Sequence, residues 1–279
     1  MADAPLGIVA GRGSLPLRIA AAVRRSGRDV FMLGLANEAD SGIAAFTHDW
    51  TPLGHIAGAA DKLLQAGCTD VVIIGAIQRP DLATLELDEG GQWFMQEVAS
   101  GKHAGDDQLL KIILAYFQMR GLTVQAAQKY LTELTGKAGA QTGHSHDAHQ
   151  ADIERGIEVA RVIGGADIGQ SVVVADKLVI AVEGPEGTDN MLARVAGMAP
   201  EFIGTGDARK GVLVKLPKPQ QDRRVDLPTL GLRTVDGAVA AHLAGIVYEA
   251  GGALFDDFDA VVKAAEEKGL FLLGLEPNG

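Results

Sequence analysis

The densest chemistry in this 279-residue chain lies between Lys215 and Asp226. In VLVKLPKPQQDRRVDLPTLG the cations Lys215, Lys218, Arg223 and Arg224 are interleaved with the acids Asp222 and Asp226. Lysine and arginine clamp phosphate oxygens, arginine with two parallel N–H donors. A carboxylate among them can ligate a metal or orient a water. Pro217, Pro219 and Pro228 stiffen the backbone where the chain leaves a strand, as a site that must hold its geometry requires. A solvated charged loop would show the same charges. The proline framing and the mixed signs place a phosphate site on equal terms with it.

Four other clusters carry polar groups of interest. Gly11-Arg12-Gly13-Ser14-Leu15-Pro16 stands between a strand and a helix, where backbone N–H groups and the helix dipole favour an anion. The dinucleotide fingerprint asks for a small residue where Pro16 stands and for an acid ending the second strand, where Leu33-Gly34-Leu35 supplies none. A nicotinamide site is therefore disfavoured, and a tight turn without ligand matches this motif as well as phosphate contact does. Asp106 and Asp107 open a helix, where acids complement the dipole and cap the first turn. Two adjacent carboxylates can also hold Mg²⁺. In AVEGPEGTDNM, Glu183, Glu186, Thr188 and Asp189 follow a strand on a glycine-rich turn, which suits either capping or a substrate or metal site. His144, His146 and His149 lie in a polar stretch without cysteine, a solvated loop rather than a zinc tract.

The elements that must position these residues follow from hydrophobic spacing. Leu6–Ala10, Asp29–Leu33, Asp70–Gly75 and LTVQA after Gly121 are expected strands. Leu17–Ser26, Ile56–Ala66 and Asp106–Arg120 are expected helices between them. That alternation predicts a parallel sheet covered on both faces. Residues 135–150 have no apolar period and are expected to be a linker. Beyond them come a helix at Ile153–Gly164, a hairpin around Asp176-Lys177, a helix at Asp189–Gly197 and a strand at Gly211–Lys215. A helix from Thr234 to Glu249, one at Phe258–Lys268 and a terminal strand complete the chain. The expected architecture is α/β with two α/β domains: a Rossmann-like domain over 1–134, a flexible linker, and a mixed α/β domain over 151–279 carrying most of the catalytic residues.

Bulk properties exclude some functions. A net charge of −11 argues against a nucleic-acid binder, which needs clustered cations. Cys68 is the single cysteine, so no internal disulfide forms, and its apolar setting QAGCTDVVIIG reads as core filling. The N-terminus has no signal-peptide pattern, and no apolar run reaches the roughly 20 residues that span a bilayer. A cytoplasmic location is expected, with contact at a membrane surface left open.

GIVAGRGSLP, GDDQLL, DIGQSVVV, AVEGPEGTDNML, GVLVKLPKPQQDRRVDLPTLG and EAGGALF occur in this order. The set resembles the UDP-2,3-diacylglucosamine pyrophosphatases of lipid A biosynthesis, the LpxI type, from near Gly7 to near Gly274. The EGTD and KPxQDxRxDLPTxG motifs are the specific ones. The resemblance implies Mg²⁺-dependent attack of water on the α-phosphorus of a lipid-linked nucleotide, giving UMP and 2,3-diacylglucosamine 1-phosphate. It also implies two domains with the lipid product between them and peripheral work at the inner face of the inner membrane. A homodimer is compatible with it. Within that chemistry Asp226 is the expected essential acid, for metal or water, followed by Asp222 and Asp189 and then Asp106 and Asp107. Lys215, Lys218 and Arg223 are expected to neutralise phosphate. Gly11, Gly13, Ser14, Leu15, Gln170, Thr188, Asp189 and Thr229 are expected to contact substrate. The competing readings are a nucleotide-dependent oxidoreductase on the first sheet and a non-catalytic binder of nucleotide or anionic lipid.

Overall fold

The structure is a computed structural model that describes residues 3–78, 80–100, 106–131 and 134–277, with the side chains of Asp106 and Asp107 outside that description. The chain divides into two compact units. One is Met1–Thr132 with Arg224–Asp226, and the other is Glu133–Arg223 with Leu227–Gly279.

In the first unit the order is β1 (Leu6–Ala10), α1 (Leu15–Arg25), β2 (Val30–Leu35), β3 (Thr47–Thr51), α2 (Ile56–Gln65), β4 (Asp70–Ile74), α3 (Glu89–Ser100), α4 (Asp106–Met119) and β5 (Thr123–Val124). The five strands are parallel in the order β3-β2-β1-β4-β5. The central strands are apolar because helices cover both faces. Val9, Leu33 and Val71 on one face pack with Leu63, Phe94 and Phe117 from the helices and with Leu122 just before β5. The strand order reverses between β1 and β4, the place where sheets of this kind open a crevice at their carboxyl edge. The loops that follow these two strands touch there. A Cβ on Gly75 would stand 2.6 Å from the carbonyl carbon of Gly11, and Gly75 has φ +108°. Glycine is needed at both positions for this approach.

Two elements of this unit were not expected from spacing. β3 is a largely exposed edge strand, THDWT, without an apolar face. α3 contains Gly90-Gly91, which reads as a break. A Cβ on Gly90 would lie 2.4 Å from the Ala57 backbone nitrogen, so these glycines let α3 pack backbone to backbone on α2.

The second unit runs β6 (Gly139–Ala140), α5 (Gln150–Gly165), β7 (Ser171–Ala175), β8 (Leu178–Val182), α6 (Gly187–Ala196), α7 (Pro200–Ile203) and β9 (Val212–Lys215). β10 (Thr229–Leu230), α8 (Leu232–Ala240), β11 (Gly245–Glu249), β12 (Leu254–Phe255), α9 (Phe258–Glu267) and β13 (Phe271–Leu275) follow. Its main sheet has the order β6-β13-β11-β9-β7-β8. β9, β11 and β13 are mutually parallel, while β7 is antiparallel to both β9 and β8. The hairpin turns at Asp176-Lys177 as expected, with φ 49° and 64°, the pair of positive values that a two-residue hairpin loop needs. α5 covers one face, on Val172, Val174, Val212, Val214 and Val247. α6, α8 and α9 cover the other, on Val173, Ala181, Leu213, Ile246 and Leu272. Odd and even positions of β7, β9 and β11 thus go to opposite cores.

Two expectations are corrected. The helix expected over Thr234–Glu249 ends at Ala240, turns through His242 at φ 53°, and gives way to the strand Gly245–Glu249. The Leu243 N–H returns to the Ala238 carbonyl at 2.9 Å, closing the helix. IVYE then pairs on both sides, which its β-branched residues favour. Residues 135–150 are a fastened part of the second unit, not a spacer. The Gln141 N–H donates to the Leu272 carbonyl at 2.8 Å. Thr142 donates to the Leu270 carbonyl at 3.1 Å and accepts from the Leu272 N–H at 3.0 Å. The rings of His146 and His149 lie on Phe271, with centroids 5.9 and 5.7 Å away. Small polar residues there make edge hydrogen bonds, a role with no hydrophobic period to reveal it.

Candidate active site

Lys215 is the last residue of β9, at the carboxyl edge of the three parallel strands. Leu213 faces the core under α6 and α8, so Lys215, two residues on, faces the same way. Pairing register places Ser171 beside it on β7 and Tyr248 beside it on β11. The Glu183 N–H donates to the Ser171 carbonyl at 2.9 Å, which extends β8 by one residue next to Ser171. Glu183, Ser171, Lys215 and Tyr248 therefore form one polar row across four strands, all less than 8% exposed (7, 0, 6 and 0%).

The first turn of α6 sets Thr188 onto this row. Lys215 Nζ donates to Thr188 Oγ1 and to the Thr229 carbonyl, both at 2.9 Å. Thr188 Oγ1 donates to Glu183 Oε1 at 3.0 Å, and Ser171 Oγ lies 3.1 Å from it. A hydroxyl has one proton and two lone pairs. With its proton given to Glu183, Thr188 accepts from Lys215 and Ser171 and is saturated. The Gln170 N–H donates to Glu183 Oε2 at 3.3 Å, while the side-chain oxygen Oε1 of Gln170 is buried without a partner among the described residues. A buried ammonium is costly unless paired. Burial pushes the Lys215 pKa down from 10.5, and the charges of Glu183 and Asp189 pull it back up. Asp189 also meets Arg233 at 2.5 Å. Two of the three Lys215 N–H groups are engaged, and the third has no protein partner among the described residues. An anion at this edge would meet that N–H.

The structure thus brings together Lys215, Thr188, Gln170, Asp189 and the carbonyl of Thr229. The rest of the charged segment is distributed. Lys218 pairs with Asp167 at 2.5 Å, and its backbone N–H donates to the buried Gln221 side chain at 2.9 Å. Gln220 Nε2 donates to the Gly164 carbonyl at 2.8 Å, so this half of the loop is fastened to the end of α5. Arg223 pairs at 2.5 Å with Glu249, the last residue of β11. Asp222 and Asp226 are partly buried. Arg224–Asp226 group with the first unit, where Val225 packs on its apolar core.

The glycine-rich loop belongs to the first unit. Ser14 precedes α1 without a side-chain cap, and the first turn has no acid, so its N–H groups favour an anion. Gly13 has φ +99° and Leu15 is buried, which leaves Leu15 only its backbone to offer a ligand. An acid does reach the carboxyl edge beyond β2, contrary to expectation. Glu38 Oε2 accepts from Arg12 Nε at 2.8 Å and from the Gln78 N–H at 3.1 Å, so Arg12 already engages it. Asp106 and Asp107 begin α4, and their side chains are outside the described set.

Among the described residues no three His, Cys, Asp or Glu side chains gather as a cation cage. Mg²⁺ commonly takes one or two carboxylates and fills its shell with substrate phosphates and water. Asp189, in the first turn of α6, is a hard oxygen donor of that kind and fits an ion that arrives with a diphosphate. Sequence reasoning singled out Glu183 without seeing that it joins the other groups, and it passed over Ser171, Tyr248 and Arg233. The alternation in IAVE, which sends Glu183 to the same side as Ala181, was the one available signal.

A family model described as the LpxI N-terminal domain matches residues 5–134, and one described as the LpxI C-terminal domain matches residues 137–273. A protein of Caulobacter vibrioides named UDP-2,3-diacylglucosamine pyrophosphatase LpxI is 39% identical over 275 residues, 98% of each chain.

Proposed function

The chain belongs to the LpxI family, and from that premise we propose that it hydrolyses the pyrophosphate of UDP-2,3-diacylglucosamine in lipid A biosynthesis, releasing UMP and 2,3-diacylglucosamine 1-phosphate. The observation that carries the reading is the full-length match to a relative of that name. The buried ammonium of Lys215, beside the first turn of α6, supports it with the group that such a substrate needs. Water adds to the α-phosphorus, the bond from that phosphorus to the bridging oxygen breaks, and the bridging oxygen leaves with the sugar phosphate. The oxygens of the leaving sugar phosphate gain negative charge, which the Lys215 and Arg223 cations offset. Asp226 takes the proton of the attacking water. Mg²⁺, with Asp189 as a ligand and substrate oxygens and water filling its shell, would supply further charge neutralisation. Peripheral membrane contact belongs to the same reading. The substrate is acylated, and among the described residues no helix is long and apolar enough to cross a membrane.

The test is incubation of the purified chain with UDP-2,3-diacylglucosamine and Mg²⁺ in ¹⁸O-labelled water. UMP carrying the label, and unlabelled 2,3-diacylglucosamine 1-phosphate, are expected. Label in the sugar phosphate would overturn attack at the α-phosphorus, and undiminished turnover in excess chelator would overturn the metal requirement.

A further inference from the structure

We propose that Glu183 is a positioning residue for this site, whose carboxylate locks Thr188 and Gln170 in place and faces Lys215 as its counter-charge. The inference rests on the pyrophosphatase reading and adds to it a residue that touches no substrate. Its two oxygens do different jobs. Oε1 accepts the Thr188 hydroxyl at 3.0 Å and Oε2 accepts the Gln170 N–H at 3.3 Å. One rigid group therefore spans the end of β8, the entry to β7 and the first turn of α6.

Proton counting makes the arrangement directional. An ionised carboxylate only accepts, so the Thr188 proton points at Glu183. Thr188 must then accept from Lys215, which fixes one N–H of the ammonium, and the Thr229 carbonyl fixes a second. The third N–H is thereby aimed, although its carrier sits on a side chain with four rotatable bonds. Without the carboxylate, the Thr188 hydroxyl is free to turn its proton elsewhere and Lys215 loses its orientation. Gln170 is held by its backbone, so its Oε1, which has no partner among the described residues, is left to receive a donor from a ligand. Glu183 is 7% exposed, and no cation forms an ion pair with it among the described residues. A buried carboxylate with that surrounding persists where it organises other groups.

The experiment measures UMP release by Glu183→Gln, Thr188→Val, Lys215→Met and the Glu183→Gln/Lys215→Met double variant, each checked by circular dichroism and Tm. Glu183→Gln keeps shape and one acceptor but removes the second acceptor and the charge. Its kcat is expected to fall at least tenfold with KM within about threefold, the pattern of a contribution made in the transition state. Because Glu183 acts through Lys215, the double variant should lose little more than Lys215→Met alone. A kcat within twofold of the parent, or fully additive losses, overturns the proposal. Should Glu183→Gln not fold, Thr188→Val breaks the same relay while leaving the carboxylate, and a parental kcat in that variant overturns the proposal equally. If the parent chain itself releases no UMP, both this inference and the reaction reading fall. If only the variants behave as the parent, the reaction reading stands and this inference alone fails.

Discussion

An ammonium at 6% exposure would lose its proton or reject its burial if nothing faced it. Lys215 is kept by a hydroxyl, a carbonyl and two nearby carboxylate charges, and among the described residues one N–H is left over. Replacement by methionine fills the space without the charge. Lys215→Met is expected to lower kcat by about 10²–10³, the usual loss when one oriented donor is removed from a developing anion. Lys215→Arg is not expected to restore it, because a planar fork cannot replace a point donor in a closed row. Steady-state UMP release measures both. Asp226→Ala should abolish UMP release with an unchanged Tm, and near-parental turnover would end its role as the essential acid. Lys218 and Arg223 were grouped with Lys215 from sequence because charge and spacing are all a sequence displays. Their partners, Asp167 and Glu249, are remote in the chain, and only folding shows that both cations are ion-paired.

At the level of elements, helix beginnings decide much of this molecule. Asp88 serves two of them. Burial alone would push its carboxyl up from 3.8, yet the backbone N–H groups of Gly58, Gly91 and Ala57, at the starts of α2 and α3, hold it lower. Asp88→Ala should destabilise the protein by about 1–2 kcal/mol near neutrality, as loss of a helix cap does. The sign with pH follows from the depressed value. The contribution is complete above 3.8 and disappears as pH falls through the lower folded-state pKa. Urea midpoints for parent and variant should therefore converge in acid. Strand–helix alternation in the first unit was legible because β1 and β4 are short apolar runs between periodic helices. α3 was not, since its Gly90-Gly91 reads as a break until the close approach to Ala57 is seen. The helix expected through Glu249 failed for a related reason: IVYE fits a buried helix or a buried strand, and pairing with β9 and β13 selects the strand.

For the whole molecule, a charge of −11 opposes adsorption to anionic bilayers. Sedimentation with vesicles should show binding that rises with the content of UDP-2,3-diacylglucosamine or its acylated product, and none to plain phosphatidylglycerol vesicles. Binding to the latter alone would sink the substrate-led view of membrane contact. Sequence by itself determined the family, through ordered motifs spread over nearly the full chain, and with the family the α/β class. It also singled out the Lys215 to Asp226 segment as the candidate site, because charge, proline and spacing are local properties. Tertiary structure alone decided that the segment divides, with Lys215 closing a row on the second sheet while Arg224–Asp226 group with the first unit. It alone decided that residues 135–150 are fastened along β13 and that Glu183 joins Gln170, Thr188 and Lys215. Those outcomes depend on which strands lie side by side and in what register, and register is settled by burial across the whole sheet, not by any one stretch of chain.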